Sequence, residues 1–182
     1  MNTLTRLHAD IDARVQATLD SHSDWLCRKG CDGCCRRLAE MPRLTAAEWD
    51  CLREGLAALP SEQLAAISRA IGAPPPSRPV VCPLLDQATG ACRVYTHRPV
   101  ACRSYGFYVQ RGLGLYCQAI EARVADGDWA DVVWGNHDAI DRRLADLGET
   151  RELGVWFASI GGAEAGHAAT AGDAPPASAQ RF

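Results

Sequence analysis

Along residues 4 to 22 the apolar positions Leu4, Leu7, Ile11, Val15 and Leu19 recur at steps of three and four, with polar residues between them. That period makes one stripe of an amphipathic helix, and it predicts an N-terminal helix over 3–24. His8 and His22 fall on or beside the stripe. The ordinary role of such a histidine is packing with its polar edge satisfied, and His22 is the better ligand candidate because it lies close to Cys27. A second apolar set, Trp49, Leu52, Leu56 and Leu59, shares one helical face. Thr45 and Glu48 stand at capping-box spacing before it, so a helix should begin at about residue 46. Ser61 can cap a further helix carrying Leu64, Ile67 and Ile71. Gly72 and the run APPPSRP should break that helix.

The pattern changes near residue 80. Apolar and β-branched residues at 80 to 85 and 92 to 95 flank the turn-rich DQATG, which predicts a short hairpin. HRPVACRSYGF reads as a turn with one helical turn. Over 129–147 the residues Trp129, Val132, Val133, Ile140, Leu144 and Leu147 line one face of an expected helix, with Gly148 as its stop. Asn136 falls on that apolar face, where its amide needs hydrogen-bond partners, and His137 sits at the edge. RELGVWFASI adds a last helical or extended packing segment, so the C-terminal helices should occupy 129–160. From Gly161 onward the chain is Ala, Gly and Pro with few large residues, and a disordered tail is expected over 161–182. These patterns predict a single domain over 1–160. Its expected fold class is mainly α with a small β-hairpin, around an irregular cysteine-rich metal-bound core packed by amphipathic helices.

Composition narrows the function classes. With 182 residues the chain can bury a core without disulfides. Hydrophobic residues at 47% and charged residues at 23% are ordinary for a globular protein. A net charge of −3 gives no global attraction to nucleic acid or to an anionic membrane, so neither is expected as a partner. No apolar run approaches the ~20 residues that span a bilayer. MNTLTRLHADIDARVQ lacks the apolar segment of a secretory signal. A cytoplasmic location is therefore expected.

In that reducing compartment, clustered cysteines point to metal binding or redox chemistry rather than to structural disulfides. There are nine cysteines, and eight fall into two groups of four. Cys27, Cys31, Cys34 and Cys35 crowd into CRKGCDGCC; Cys82, Cys92, Cys102 and Cys117 are widely spaced. Cys51 stands apart, off the apolar face of its helix, and reads as an incidental thiol. Cys31 and Cys34 form a C-x-x-C turn, with Gly30 and Gly33 beside them to permit a tight backbone, and such turns aim two sulfurs at one metal. The vicinal Cys34–Cys35 pair is less usual: adjacent side chains diverge, so one of them can serve a second metal, stay free or bridge. The wide gaps of the second group suit a site assembled from several elements, or one that donates ligands to the first group's metal. Arg28, Lys29, Arg36 and Arg37 flank the first group, and Arg93, Arg98, Arg103 and Arg111 thread through the second. Cations there should lower the cost of thiolates, which are the species that bind metal. A thioredoxin-like relay would need a βαβ context that the pattern lacks.

CRKGCDGCC followed by CPLLDQATGACRVYTHRPVACRSYGF resembles the YkgJ-type cysteine-cluster family, also called the CxxCxxCC or zinc- or iron-chelating domain. The matching positions are Cys31, Cys34 and Cys35, then Cys82, Pro83 and Leu85, Cys92 and Tyr95, Arg98 and Pro99, Cys102 and Arg103. The resemblance runs from about residue 27 to residue 117. One departure is that three residues, not two, separate Cys27 from Cys31. The resemblance implies a cytosolic metal-binding protein holding zinc, iron or an iron–sulfur cluster. Its implied ligands are Cys31, Cys34, Cys35, Cys82, Cys92 and Cys102, with Cys27 and Cys117 completing the set. It names a metal ion as partner and no catalytic residue. A related domain in flagellin lysine-N-methylases offers a second reading by analogy, a methyltransferase-like modifier, beside a metal-dependent redox enzyme. A pocket holding Arg103, Tyr105, Asn136 and His137 would favour an enzyme, but the chain has no Gly-rich S-adenosylmethionine loop after a strand. A third reading is a structural or adaptor protein stabilised by zinc.

Overall fold

The computed structural model describes residues 2–73 and 78–165. The proline run at 74–77 and most of the expected tail, 166–182, lie outside the described residues.

Helix α1 (Thr3–Ser21) opens on Asn2, whose Oδ1 accepts a hydrogen bond from the Thr5 amide at 2.7 Å. Its stripe buries Leu4, Leu7 and Ile11 as the pattern predicts. Strand β1 (Arg43–Thr45) runs directly into α2 (Ala46–Ala57) through the expected capping box. The Glu48 amide donates to Thr45 Oγ1 at 3.3 Å, and the Thr45 amide donates to Glu48 Oε2 at 2.8 Å. Helix α3 (Ser61–Gly72) corrects one expectation: Ser61 is its first residue, Pro60 occupies the capping position, and no side chain caps the end. Strands β2 (Leu85–Asp86) and β3 (Ala91–Cys92) form the predicted hairpin, with Leu85 opposite Cys92. Asp86 Oδ1 holds its turn by accepting from the Ala88 and Thr89 amides. A 3₁₀ turn at Tyr95–His97 leads into the single-turn helix α4 (Val100–Ser104).

Helices dominate, but the fold is mixed α/β with three small sheets among the described residues, not mainly α with one hairpin. Strands β4 (Tyr108–Gln110) and β5 (Leu113–Leu115) pair antiparallel about Arg111 and Gly112, both at positive φ, which is the two-residue hairpin turn that matches strand twist. After α5 (Gln118–Ala125), β6 (Gly135–Asn136) joins β4 in parallel. Helix α6 (His137–Leu144) follows, and β7 (Thr150–Glu152) pairs with β1 across more than half the chain before α7 (Leu153–Ala165). The helix expected over 129–147 therefore begins only at His137. Gly127 and Trp129 take left-handed conformations (φ 86° and 55°) that a helix cannot contain. Asn136 is the N-cap of α6, its Oδ1 accepting from the Ala139 amide at 3.3 Å. Helix α7 continues through Ala165, five residues into the expected tail.

The buried residues form two apolar clusters, the first of which includes Cys82. One gathers Leu44, Trp49, Leu52, Ile67, Leu84 and Leu153. The other gathers Leu7, Ile11, Trp25, Val100, Phe107 and Ile120. Among the cysteines Cys82 alone is fully buried, Cys31 is exposed and the others are half-buried.

Candidate metal centre

The cysteine loop leaves α1 through Trp25, which is 1% exposed and stacked among Phe107, Trp129 and Trp134. Gly30, at φ 94°, lets the chain fold back so that the Cys31 amide donates to Arg28 O at 2.9 Å. The next turn is closed by the Arg37 amide on Cys34 O at 3.1 Å and by Arg36 Nε on Asp32 Oδ2 at 2.6 Å. Leu38 then bridges to Val80 in both directions, and the Cys82 amide donates to Cys35 O at 2.7 Å. The hairpin places Cys92 beside Leu85, and α4 carries Cys102 on the turn that follows Pro99. Cys27 Sγ donates to Tyr105 O at 3.5 Å. Cys117 occupies the capping position of α5.

These elements enclose a cavity of about 560 Å³. Seven of the eight candidate cysteines line it, all except Cys117, whose sulfur lies near Cys27 and Tyr105. Cys51 is apart, with Glu54, Arg103 and Glu48 for neighbours. Arg28, Lys29, Arg37, Arg43, Arg98 and Arg103 reach the cavity wall, against the acids Asp12 and Glu40. Arg36 and Arg93 face Asp32 and Asp86 instead. Two arginines are built in deeply. Arg98 lies 3.6 Å over the Tyr95 ring and donates from Nε to Tyr95 O at 2.9 Å. Arg103, 8% exposed, donates to Arg98 O, to Thr96 O and to both oxygens of Asp12. Asp12, reached from α1, is a partner that the sequence pattern did not single out.

A family model matches residues 26–130, more than half of the chain. The chain belongs to the CxxCxxCC family. Its matching model is described as a "putative zinc- or iron-chelating domain". No curated protein and no solved structure gives a significant match. The CxxCxxCC segment contains every candidate thiol, and it also contains Arg98 and Arg103. Asn136 and His137 lie beyond it and off the cavity wall: Asn136 caps α6, and His137 packs edge-on to Tyr108 beside Asp141. His8 and His22 are also off the wall, and His22 packs against Trp25.

Within this CxxCxxCC site the surroundings of Cys27, Cys34, Cys35, Cys92 and Cys102 favour the protonated thiol. Burial pushes Cys27 and Cys102 each up to about 12; neighbouring sulfurs add to the shift, and Arg98 opposes it. Burial likewise raises Cys92. The Cys34 thiol is raised by its hydrogen bond to Cys35 and by burial. That same bond favours the Cys35 thiolate, but the bond with Cys82 and burial outweigh it and leave Cys35 at about 12. Of the flanking cations Arg98 favours the thiolates of Cys27, Cys92 and Cys102, yet burial wins, so deprotonation of these thiols has to accompany arrival of a metal.

The donor chemistry fits zinc or iron. All candidate donors on the wall are soft sulfurs, the set that zinc and iron–sulfur clusters prefer. Cys34 Sγ and Cys35 Sγ are in hydrogen-bond contact at 4.0 Å. Among the described residues no three His, Cys, Asp or Glu side chains converge on one ion-sized point. Cys31 is the exposed member of the set. Among the described residues no helix is long and apolar enough to cross a membrane.

Proposed function

We propose that this chain is a cytosolic metal-binding protein that chelates zinc, or iron as an iron–sulfur cluster, through the thiolates of Cys27, Cys31, Cys34, Cys35, Cys82, Cys92, Cys102 and Cys117. Residues 1–160 act as one domain in this reading. The observation that carries it is that Cys82, Cys92 and Cys102 share one cavity wall with the four cysteines of residues 27–35. Bound metal would cross-link the loop, hairpin and α4 if zinc, or supply an electron-transfer group if an iron–sulfur cluster. The protein's own residues do the rest. Arg98 and Arg103 place positive charge against the thiolates, and Leu38, Leu44, Leu84 and Phe107 narrow the access of water.

Metal analysis and an optical spectrum of anaerobically purified protein test this reading. Stoichiometric zinc, or iron with acid-labile sulfide and a broad band near ~400 nm, supports it. Protein that holds no metal and takes up none would sink it. The enzymatic reading gains Arg103 and Tyr105 on the cavity wall but loses Asn136 and His137.

A further inference from the structure

We propose that the eight thiols make two adjoining four-sulfur centres and not one: Cys27, Cys31, Cys34 and Cys117 on one side, Cys35, Cys82, Cys92 and Cys102 on the other. This rests on the chelation reading above and deepens it.

Packing divides five of the eight. Cys27 and Cys117 pack on the cluster built around Trp25 and Ile120. Cys35, Cys82 and Cys92 pack on the other cluster, around Leu44 and Leu84. Backbone bonds draw the same division. Cys35 O accepts from the Cys82 amide, and Cys92 sits on the hairpin beside Leu85, so three sulfurs ride on one body. On the far side Cys27 is bonded to Tyr105 O, and the next residue, Gly106, donates its amide to Leu115 O at 2.7 Å, two residues before Cys117. Proximity agrees. Cys27 has Cys31, Cys34 and Cys117 for neighbours and Cys102 has Cys35 and Cys92, with Cys34 within reach of both sides.

The vicinal pair straddles the seam. Cys34 lies near Cys27 and Cys35 is hydrogen-bonded to Cys82, while the two vicinal sulfurs touch at 4.0 Å. Two tetrahedral metals use eight thiolates, which leaves Cys51 as the ninth. At each centre four S–H bonds break, four S–metal bonds form and four protons pass to buffer, with no change of oxidation state. Two such centres holding divalent metal carry a charge of about −4 by counting. The six cations on the cavity wall stand opposite that charge, and Arg98 lies near sulfurs of both groups.

The test is an anaerobic titration of the reduced, metal-free chain with cobalt(II), read by thiolate-to-cobalt absorbance and by native mass spectrometry. Wild type should take two equivalents. Cys27→Ala/Cys117→Ala and Cys92→Ala/Cys102→Ala should each keep one, with about half the charge-transfer intensity, and Cys51→Ala should keep two. Should a double variant misfold by circular dichroism, Cys117→Ser and Cys92→Ser give the same split as a weakened second equivalent. One equivalent in wild type, or loss of both metals from either variant, overturns the division and leaves chelation standing. A wild-type chain that binds no cobalt overturns both.

Discussion

Glu48, buried in the first turn of α2, accepts a hydrogen bond from the Val100 amide at 2.9 Å, 52 residues along the chain. Its other oxygen takes the Thr45 amide and hydroxyl, each at 2.8 Å. One carboxylate thus caps its own helix and fixes the first residue of α4, the helix that carries Cys102 and Arg103.

Replacing Glu48 with Ala leaves three donors without their acceptor. The expected cost is about 3 kcal/mol, one lost cap plus one buried amide left unpaired. Glu48→Gln keeps a carbonyl oxygen and should cost less. Urea unfolding measures both; a loss under about 0.5 kcal/mol for the alanine variant would show that α4 is held by other contacts.

His8 makes acid stability a second readout of this region. Burial, then the Arg103 charge, lowers its pKa from 6.5 to about 4, with Asp12 partly opposing. A histidine held neutral when folded takes up its proton more readily when unfolded. Its contribution is therefore whole above pH 6.5 and is lost as pH falls from 6.5 to about 4. His8→Gln should flatten the stability profile across that window. An unchanged slope in chemical unfolding between pH 4 and 7 would exclude His8 as its source.

The thiols give the opposite sign at alkaline pH. Cys27, Cys35 and Cys102 move from 9.0 to about 12 on folding. The folded, metal-free chain therefore binds more protons than the unfolded one between those values, and its stability should fall as pH rises from 9 towards 12. At neutral pH the same protons must leave when metal enters, so calorimetry in buffers of different ionisation enthalpy should detect proton release. Heat independent of buffer would mean that the thiols were already ionised.

Gly106 stands at φ 91°, and a Cβ there would lie 2.8 Å from Cys27 Sγ and 2.9 Å from Cys27 Cβ. Gly106→Ala should cost about 2 kcal/mol through backbone strain and a displaced neighbour. Alkylation followed by mass spectrometry should show Cys27 labelled faster, with Cys82 and Cys92 unchanged. Equal labelling of all three would place the disturbance outside the Cys27 contact.

What the sequence made legible was local. The stripe of α1, the Thr45–Glu48 box, the β2–β3 hairpin and the turn before Cys102 each depend on residues a few positions apart. The pairing of β1 with β7 depends on three-residue strands more than a hundred positions apart, which leave no period to read. Trp129, Val132 and Leu144 kept helical spacing but serve different ends: Trp129 packs on Trp25 from an irregular segment, at 4.4 Å between rings. A turn signal was present in Gly127, and Asn136 before HDAI was an N-cap that the apolar count obscured. The grouping of seven cysteines on one wall follows from tertiary contacts such as Cys35 with Cys82, which spacing alone does not reveal.

The β1–β7 ladder has a consequence for how the protein comes into being. Leu44 and Leu153 line the cavity together, and Leu153 is fastened there by its amide on Pro42 O at 2.8 Å. Every candidate thiol precedes β7 in the chain, so all eight leave the ribosome before the wall that shelters them can close. During synthesis the cysteines stand open to oxidants and to whatever metal is at hand. Selectivity for the right ion then has to come from the finished fold, by exchange, rather than from the order in which ligands emerge.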